Sequence, residues 1–263
     1  MLFFAINKKR KKKTNKEKIY TATFIILALI FFTLYIAPWN FITEIRYDKK
    51  WPYQDQTSGS YSGDYDGIDI SRHQGKIRWD ELKKNTHIQF IYIKATEGLT
   101  LNDPCYEENI KNARKHGFKV GSYHFLSKGS LGELQFLHFY HVINKSEQDL
   151  RPVIDVEDDG TFGWSRSQIQ SHLKGFIRAC EMIYGVQPII YCSASYYKDY
   201  LSPEFDEYLH FIASYSGKPV LPGEPTYDIW QFSRKGRIPG IWNWVDLNRF
   251  AEGMNVEEIL WHK

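Results

Sequence analysis

The sequence of 263 residues lacks the motifs of several kinds of active site. It contains no CxxC pair and no HxH or HExxH histidine pair, so thiol-redox and zinc-type sites lack their usual ligand spacing. It also has no GxSxG turn and no GxGxxG or GxxxxGK[ST] loop, which counts against serine hydrolases and nucleotide-binding proteins. The three cysteines, Cys105, Cys180 and Cys192, are predicted to be small buried hydrophobic residues, although Cys180 could also pair with Cys192.

Positive charge is concentrated at the N-terminus. Residues 1–18 contain eight basic residues and one acid, a net charge of +7, so the remainder of a chain whose total is +3 carries −4. Because the chain after residue 18 is negatively charged, it is not suited to neutralising phosphates, and nucleic-acid binding is excluded as the default function. Aromatic residues are abundant, at 16%. They suit a sugar-stacking cleft and an aromatic core equally well.

Charged residues are missing altogether from residue 19 to residue 43. Residues 19–37 are apolar, and a helix of that length spans roughly 28 Å, close to the hydrocarbon thickness of a bilayer. A cleaved signal peptide is the alternative, but its apolar run is usually shorter, and no small-x-small cleavage site precedes Pro38. We therefore predict a single-pass transmembrane helix over residues 19–38. The preceding basic cluster places the N-terminus in the cytoplasm and the rest of the chain outside it, or in a periplasm.

These patterns divide the chain into four parts. Residues 1–18 are a basic cytoplasmic segment and residues 19–38 are the membrane anchor. Residues 39–63 combine charge, Pro52 and a Ser/Gly-rich run without helical or strand periodicity, which is typical of a stalk. Residues 64–263 have the length of one domain, which we expect to be monomeric.

Within residues 64–263, short apolar runs alternate with amphipathic stretches. Strands are predicted at residues 67–70, 90–94, 119–125, 152–156, 188–192, 210–214, 227–232 and 241–247, and helices at residues 106–116, 131–144 and 167–184. Repeated strand–helix units imply parallel strands, so the prediction is an α/β fold, a (β/α) barrel of the TIM-like type. The barrel is irregular, because the helices disappear in its last third, after about residue 193.

Carboxylates recur at the predicted strand ends, where a barrel of this type carries its chemistry. Asp155 and Glu157 are the most informative, because residues i and i+2 of a strand point to the same face. Two close carboxyls resist simultaneous ionisation, which raises one pKa and keeps a proton donor available near neutral pH. Glycosidic cleavage needs such a pair. A Ca²⁺ or Mg²⁺ site and a solvated, turn-forming strand end are the alternatives.

Other polar and aromatic residues near strand ends are less informative taken singly. Asp69, Glu97 and Asp246 stand at further strand ends, where loop or cap roles are common. Three histidines, His73, His124 and His210, are predicted to be hydrogen-bonded structural residues. Four aromatic residues could stack on sugar faces or pack in the core: Tyr123, Tyr191, Tyr215 and Trp230.

Six short segments, in the same order, resemble glycoside hydrolase family 25, the lysozymes that act as N-acetylmuramidases. They are DISRHQG at 69–75, KATEG at 94–98, GSYHF at 121–125, DVE at 155–157, WQF at 230–232 and VDLN at 245–248. The likeness covers about residues 67–250. It implies an irregular (β/α) barrel that hydrolyses the β-1,4 bond from N-acetylmuramic acid to N-acetylglucosamine in peptidoglycan glycan strands, without metal or organic cofactor. The anchor outside this region implies a tethered form of the enzyme.

The resemblance also implies roles for individual residues. Glu157 is the expected general acid, Asp155 its catalytic partner, and Asp69 and Asp246 the remaining acids of the cleft. The expected substrate-binding residues are Tyr123, Tyr191, Trp230 and Glu97.

The reaction course is open at this point. Retention of configuration through a carboxylate nucleophile would need the two carboxyls about 5–5.5 Å apart. Inversion would need a wider gap between them, to admit a water molecule. We favour a third course, in which the 2-acetamido oxygen of the substrate is the nucleophile and Asp155 orients that group, because both acids lie on one short strand. Two rival functions are a chitinase-like glycosidase and an inactive wall-binding module. The first expects an acid where Val153 stands, and the second would keep the aromatic residues and lose the acids.

Overall fold

The computed structural model describes Thr23, Ile26 and residues 64–85, 87–223 and 226–261. Within them, the strands are β1 (Gly67–Ile70), β2 (Phe90–Glu97), β3 (Leu101–Asn102), β4 (Lys119–Phe125), β5 (Val153–Asp155), β6 (Ile189–Ser193), β7 (His210–Ala213), β8 (Ile229–Gly236) and β9 (Val245–Phe250). The helices are α1 (Trp79–Leu82), α2 (Tyr106–Lys115), α3 (Gly132–Val142), α4 (Asp158–Thr161), α5 (Arg166–Tyr184) and α6 (Ala194–Tyr196). A π-helical turn, Tyr197–Leu201, continues α6.

Eight of these strands close into a barrel. Their order is β1-β9-β8-β7-β6-β5-β4-β2, and β2 pairs with β1 to complete the ring. Seven strands are parallel, whereas β9 runs antiparallel to both of its neighbours. The short strand β3 pairs with the end of β2 outside the ring. The C-terminal ends of seven strands and the N-terminal end of β9 therefore surround one mouth of the barrel.

Side-chain alternation along the strands produces two apolar layers. The barrel interior is filled by a small cluster that includes Phe90, Tyr92, Val153, Ile189, Phe211 and Ile229. The outward-facing positions form a larger core against the helices, with Ile91, Ile93, Ile154, Ile190, Ile212 and Leu247 among its members. Because apolar side chains fill the interior, polar side chains that point inward collect near the mouth.

The longest helix, α5, is bounded by local signals. Ser165 caps its N-terminus and forms a capping box with Gln168, and Gly185 ends it in the left-handed conformation with φ 75°. Helix α3 packs closely against it, since a Cβ atom on Gly132 would collide with the carbonyl oxygen of His172. After Leu201 the described residues contain no α-helix. The predicted loss of helices in the last third of the barrel is confirmed.

The prediction for the last strand was wrong in two respects. It begins at Val245 rather than at residue 241, and it is antiparallel rather than parallel. Ile241 is buried, but it lies in the loop after β8 and extends the apolar run without pairing. The connection from Gly236 to Val245 is too short for the crossover that a parallel strand requires, so β8 and β9 form a hairpin.

No helix in the described part of the chain is long and apolar enough to cross a membrane. The span predicted over residues 19–38 lies outside the described residues, except for Thr23 and Ile26, as do residues 1–18 and 39–63. Cys180 and Cys192 are buried free thiols, as predicted, whereas Cys105 is only half-buried.

Candidate active site

A cavity of about 270 Å³ opens at the mouth of the barrel. Its lining includes four carboxylates, which come from β1, β9, the end of β5 and the residue that begins the next turn: Asp69, Asp246, Asp155 and Glu157. Tyr123, Tyr191 and Tyr215 add phenolic groups. The fold thus collects acids that are up to 177 positions apart in the chain, from Asp69 to Asp246, at one point.

Hydrogen bonds on both sides of the strand end hold Asp155 and Glu157 in place. The carbonyl of Asp155 accepts from the N–H of Leu126 at 2.8 Å, and the N–H of Val156 donates to the carbonyl of Tyr191 at 2.9 Å. The hydroxyl of Thr161 donates to the carbonyl of Glu157 at 2.8 Å. The strand alternation therefore continues to Glu157, and both carboxyls point into the cavity, as the i, i+2 spacing predicts.

Burial dominates the electrostatics of this pair. It raises the pKa of Asp155 well above its usual value, and the nearby Glu157 carboxylate raises it further. Burial also raises the pKa of Glu157, helped by Asp159 and opposed by its hydrogen bond with the Tyr191 hydroxyl and by the charge of Lys94. One oxygen of Asp155, Oδ1, is buried without a hydrogen-bond partner among the described residues. Burial thus favours the protonated form of both carboxyls, and the charge of Glu157 adds to this effect on Asp155.

Asp69 and Asp246 form a second acidic pair. They are register partners across β1 and β9, and a hydrogen bond joins their carboxyls. Asp69 Oδ2 accepts from Gln231 Nε2 and from Asn248 Nδ2, each at 3.0 Å. Burial, followed by the charge of Asp69, raises the pKa of Asp246 to about 9. Asp246 is therefore the protonated partner, which donates to the Asp69 carboxylate.

Gln231 connects the two acidic pairs. Its Oε1 accepts from the hydroxyl of Tyr191 at 2.9 Å and from that of Tyr215 at 2.6 Å, while its Nε2 donates to Asp69. Because Tyr191 also bonds to Glu157, a continuous chain of hydrogen bonds runs from the end of β5 to β1. Such a network fixes side-chain orientations more strongly than isolated bonds do.

The raised pKa of Asp246 predicts a pH-dependent gain in stability for Asp246→Asn. Between about pH 5 and pH 8 the native state holds a proton that the unfolded chain releases, so its free energy of unfolding falls by up to about 1.4 kcal/mol per pH unit on this account. The amide loses this dependence, and the variant becomes more stable than the native protein as the pH rises. Urea unfolding at several pH values measures the difference. The matched control is Asp158→Asn, which removes an exposed carboxylate. If the free energies of unfolding of the native protein and Asp246→Asn changed in parallel with pH, the raised pKa of Asp246 would be contradicted.

The structure distributes the predicted substrate-binding residues over two regions. Tyr123 and Tyr191 line the cavity. Glu97 and Trp230 are not brought to it: Glu97 forms an ion pair with Lys94 Nζ at 2.8 Å, and the Trp230 indole N–H donates to the carbonyl of Ser214 at 2.8 Å on the outer face of β8. The charge of Lys94, held by Glu97, lowers the pKa of both Asp155 and Glu157.

The histidines lie away from the acids. His124 is fully buried on the outer face of β4, with Nδ1 2.7 Å from Thr96 Oγ1 and Nε2 3.0 Å from Gln135 Oε1, and burial lowers its pKa to about 3. His210 Nε2 donates to the carbonyl of Phe205 at 2.9 Å, and His73 is exposed. In the described residues, no three histidine, cysteine or acidic side chains are grouped so that they could hold a metal ion.

Three residues of the site were missed by sequence reasoning: Gln231, Asn248 and Arg234. An amide has no catalytic signature of its own. The positions of Gln231 within WQF and of Asn248, two residues after Asp246, were the available signals, since i and i+2 on a strand share a face. Arg234 had no such signal, because its direction depends on irregular pairing within β8.

The model of the family described as glycosyl hydrolases family 25 matches residues 68–241, from β1 into the loop after β8. The chain belongs to glycosyl hydrolase family 25.

Individual relatives and solved structures agree with this assignment. The autolytic lysozyme of Clostridium acetobutylicum is 34% identical over 193 residues, 72% of this chain and 57% of that protein. The structure of a family 25 glycosyl hydrolase from Bacillus anthracis superposes with a TM-score of 0.68 at 33% identity, covering 78% of this chain and 97% of the other. A bacterial lysozyme from Streptomyces coelicolor gives a TM-score of 0.66 at 29% identity, with 76% and 95% covered. The chain is therefore a glycoside hydrolase, with its acidic cavity where a barrel enzyme carries its chemistry.

Proposed function

We propose that this family 25 hydrolase is a lysozyme. It cleaves the β-1,4 bond from N-acetylmuramic acid to N-acetylglucosamine in peptidoglycan. The observation that carries the proposal is the Asp155–Glu157 pair, two buried carboxyls with raised pKa values that line one cavity at the mouth of a family 25 barrel. The names of the relatives support the substrate class, since they include an autolytic lysozyme and an N,O-diacetylmuramidase.

Glu157 is the general acid of the proposed reaction. Its proton passes to the glycosidic oxygen as the bond from C1 of muramic acid to that oxygen breaks. The raised pKa of Glu157 supports this role, because the acid must carry its proton near neutral pH. The Tyr191 hydroxyl fixes the direction of the carboxyl.

Asp155 acts on the 2-acetamido group of the muramic acid. Its unpartnered Oδ1 accepts the amide N–H, which orients the acetamido oxygen towards C1 and favours its attack there. This hydrogen bond stabilises the ionised form of Asp155, and the charge of that carboxylate favours a protonated Glu157 when the substrate binds. The Glu157 carboxylate then removes a proton from water, whose oxygen adds to C1 and opens the cyclic intermediate, with net retention of configuration.

The remaining site residues position the reacting groups. Asp69 and its protonated partner Asp246 hold Gln231, which in turn aligns Tyr191. Tyr123 adds an aromatic wall for a sugar ring. For Glu97 and Trp230 the substrate-binding role stays a prediction from the resemblance, since neither lines the cavity. The proposed reaction uses no metal ion or organic cofactor.

Two details count against the rival functions. A chitinase-like glycosidase expects an acid two residues before Asp155, where the apolar Val153 lines the cavity instead. An inactive wall-binding module has no need of four carboxyls, three of them joined through Gln231 and Tyr191 into one network.

We further propose that the enzyme is anchored in the membrane through residues 19–38 as a monomer, with its N-terminus in the cytoplasm and residues 64–263 facing the wall or the periplasm. The basic cluster and the apolar run in the sequence support this topology. Full-length protein recovered in the soluble fraction, or a mature N-terminus near residue 40, would contradict it.

Analysis of reducing ends tests the proposed bond specificity. The full chain, purified in mild detergent, is incubated with purified peptidoglycan, and released fragments are reduced with borohydride and identified by mass spectrometry. We expect new muramitol ends. New glucosaminitol ends would move the cut to the other linkage, and no new ends from folded protein would favour the binding module.

A further inference from the structure

Arg234 points into the cavity because the pairing of β8 with β9 is irregular. Opposite residues of an antiparallel pair share a face, and Gln231 is opposite the inward-facing Asn248. Ser233, however, is opposite Leu247, which belongs to the outer core. The register therefore shifts between Gln231 and Ser233, and the next residue, Arg234, turns inward. Bulges of this kind redirect side chains beside active sites.

The Arg234 side chain is directed over the cavity by Tyr215. Its Cζ atom lies 5.2 Å from the centroid of the Tyr215 ring, whose hydroxyl is held by Gln231. Such a cation–aromatic contact orients a guanidinium while leaving its N–H donors available.

The charge of Arg234 has no fixed partner in the structure. Among the described residues that line the cavity, Arg234 alone is basic, and it forms no ion pair with the described carboxylates. It is exposed at the mouth, above four acids, of which Asp246 is protonated near neutral pH. An oriented guanidinium in this position is a ready binding site for an anion that arrives with the substrate.

We propose that Arg234 binds a carboxylate carried on the 3-position of the muramic acid residue, and so selects glycan chains that bear an acidic substituent. This inference rests on the proposed function and deepens it. A planar guanidinium matches a carboxylate with two parallel N–H···O bonds, which a neutral group cannot replace.

Two parts of the substrate can supply this carboxylate. One is the carboxyl group of the lactyl ether itself, which is free and ionised where the stem peptide has been removed. The other is a free carboxylate of the attached stem peptide. Both extend from the muramic acid ring, and they differ in their distance from it.

The test compares three glycan preparations with the full chain and its Arg234→Gln variant. The first carries free lactyl carboxylates, the second has these converted to the neutral methylamide, and the third retains stem peptides. We measure kcat/KM and, independently, the equilibrium dissociation constant. Arg234→Gln should lower kcat/KM and weaken binding by about 10–100-fold on a carboxylate-bearing glycan, and by less than about threefold on the methylamide. The larger loss, on the first or the third preparation, identifies the source of the carboxylate.

Two further variants separate this role from others. Lys235→Gln removes an exposed cation from the neighbouring position on β8 and should leave all three preparations unaffected. Arg234→Lys keeps the charge but loses the paired geometry, so it should recover only part of the binding. Equal losses on charged and neutral glycans, or no loss on either, would overturn the proposal. The dissociation constants test the role of Arg234 even if the protein does not cleave the glycan. Failure of the proposed lysozyme function would show separately, as an absence of new reducing ends.

Discussion

Replacing Glu157 by glutamine should lower kcat on peptidoglycan by about 10³–10⁴-fold, with little change in KM. Glutamine keeps the size of the side chain and its contact with Tyr191, but it cannot give a proton to the leaving oxygen. In the native protein the rate should fall as the pH rises, because the acid must be protonated. Burial raises the pKa of Glu157, so activity should persist to a higher pH than an unperturbed carboxyl would allow. Initial rates of release of soluble fragments over a range of pH measure both effects.

The control variant for Glu157→Gln is Asp158→Asn, which removes the adjacent exposed carboxylate and should keep nearly native rates. A substrate with an activated leaving group separates proton donation from other roles. An aryl glycoside whose phenolate leaves without protonation should release its first equivalent of phenolate from Glu157→Gln at close to the native rate, whereas later turnovers, which need Glu157 as the base for water, should be slow. If Glu157→Gln slowed this first release of phenolate as much as it slows peptidoglycan cleavage, Glu157 would act in some other way than as the acid.

Replacing Asp155 by asparagine should lower kcat by about 10²–10³-fold, the effect of losing one well-placed electrostatic group. Asp155 is buried at the end of β5, and its Oδ1 has no hydrogen-bond partner among the described residues. In the proposed reaction the acetamido N–H of the substrate is that partner. The folded state should not suffer, since an amide in place of a buried carboxylate removes charge repulsion with Glu157. Single-turnover kinetics on a defined glycan and urea unfolding measure the two expectations.

The substrate offers a way to show that Asp155 acts through the acetamido group. A glycan whose muramic acid residues are de-N-acetylated lacks that group, and native protein should cleave it slowly. If Asp155 acts through the acetamido group, Asp155→Asn should add little further loss on this glycan, because interacting groups are not additive. Fully multiplied losses would show that Asp155 acts directly, as nucleophile or base.

The barrel could be predicted from the sequence because its strands are short apolar runs separated by long amphipathic helices. That pattern persists up to α5, and the loss of helices after it was also visible. The direction and start of β9 could not be read in the same way. Ile241 extends the apolar pattern, but it lies in a hairpin loop, and direction depends on loop length rather than on hydrophobicity. Strand β3 has only two residues, both exposed, and leaves no pattern at all.

The acids of the site were predictable for a different reason. Asp155 and Glu157 follow from strand periodicity, and Asp69 and Asp246 from their places at further strand ends. The motif alone did not predict which residue of WQF faces the cavity. Strand alternation places Trp230 and Gln231 on opposite faces of β8, and Gln231 is the one that lines the cavity. Arg234 lay beyond prediction, because a shift in register sets its direction.

The measurement that tests the central claim most directly is proton NMR of the native full chain cleaving a defined tetrasaccharide of alternating N-acetylglucosamine and N-acetylmuramic acid. One spectrum, recorded before mutarotation, identifies both the sugar at the new reducing end and its first anomer. A proton held by Glu157 and an acetamido group directed by Asp155 predict N-acetylmuramic acid in the β configuration. A new N-acetylglucosamine end would contradict the proposed bond specificity, and α-N-acetylmuramic acid formed first would contradict the reaction course.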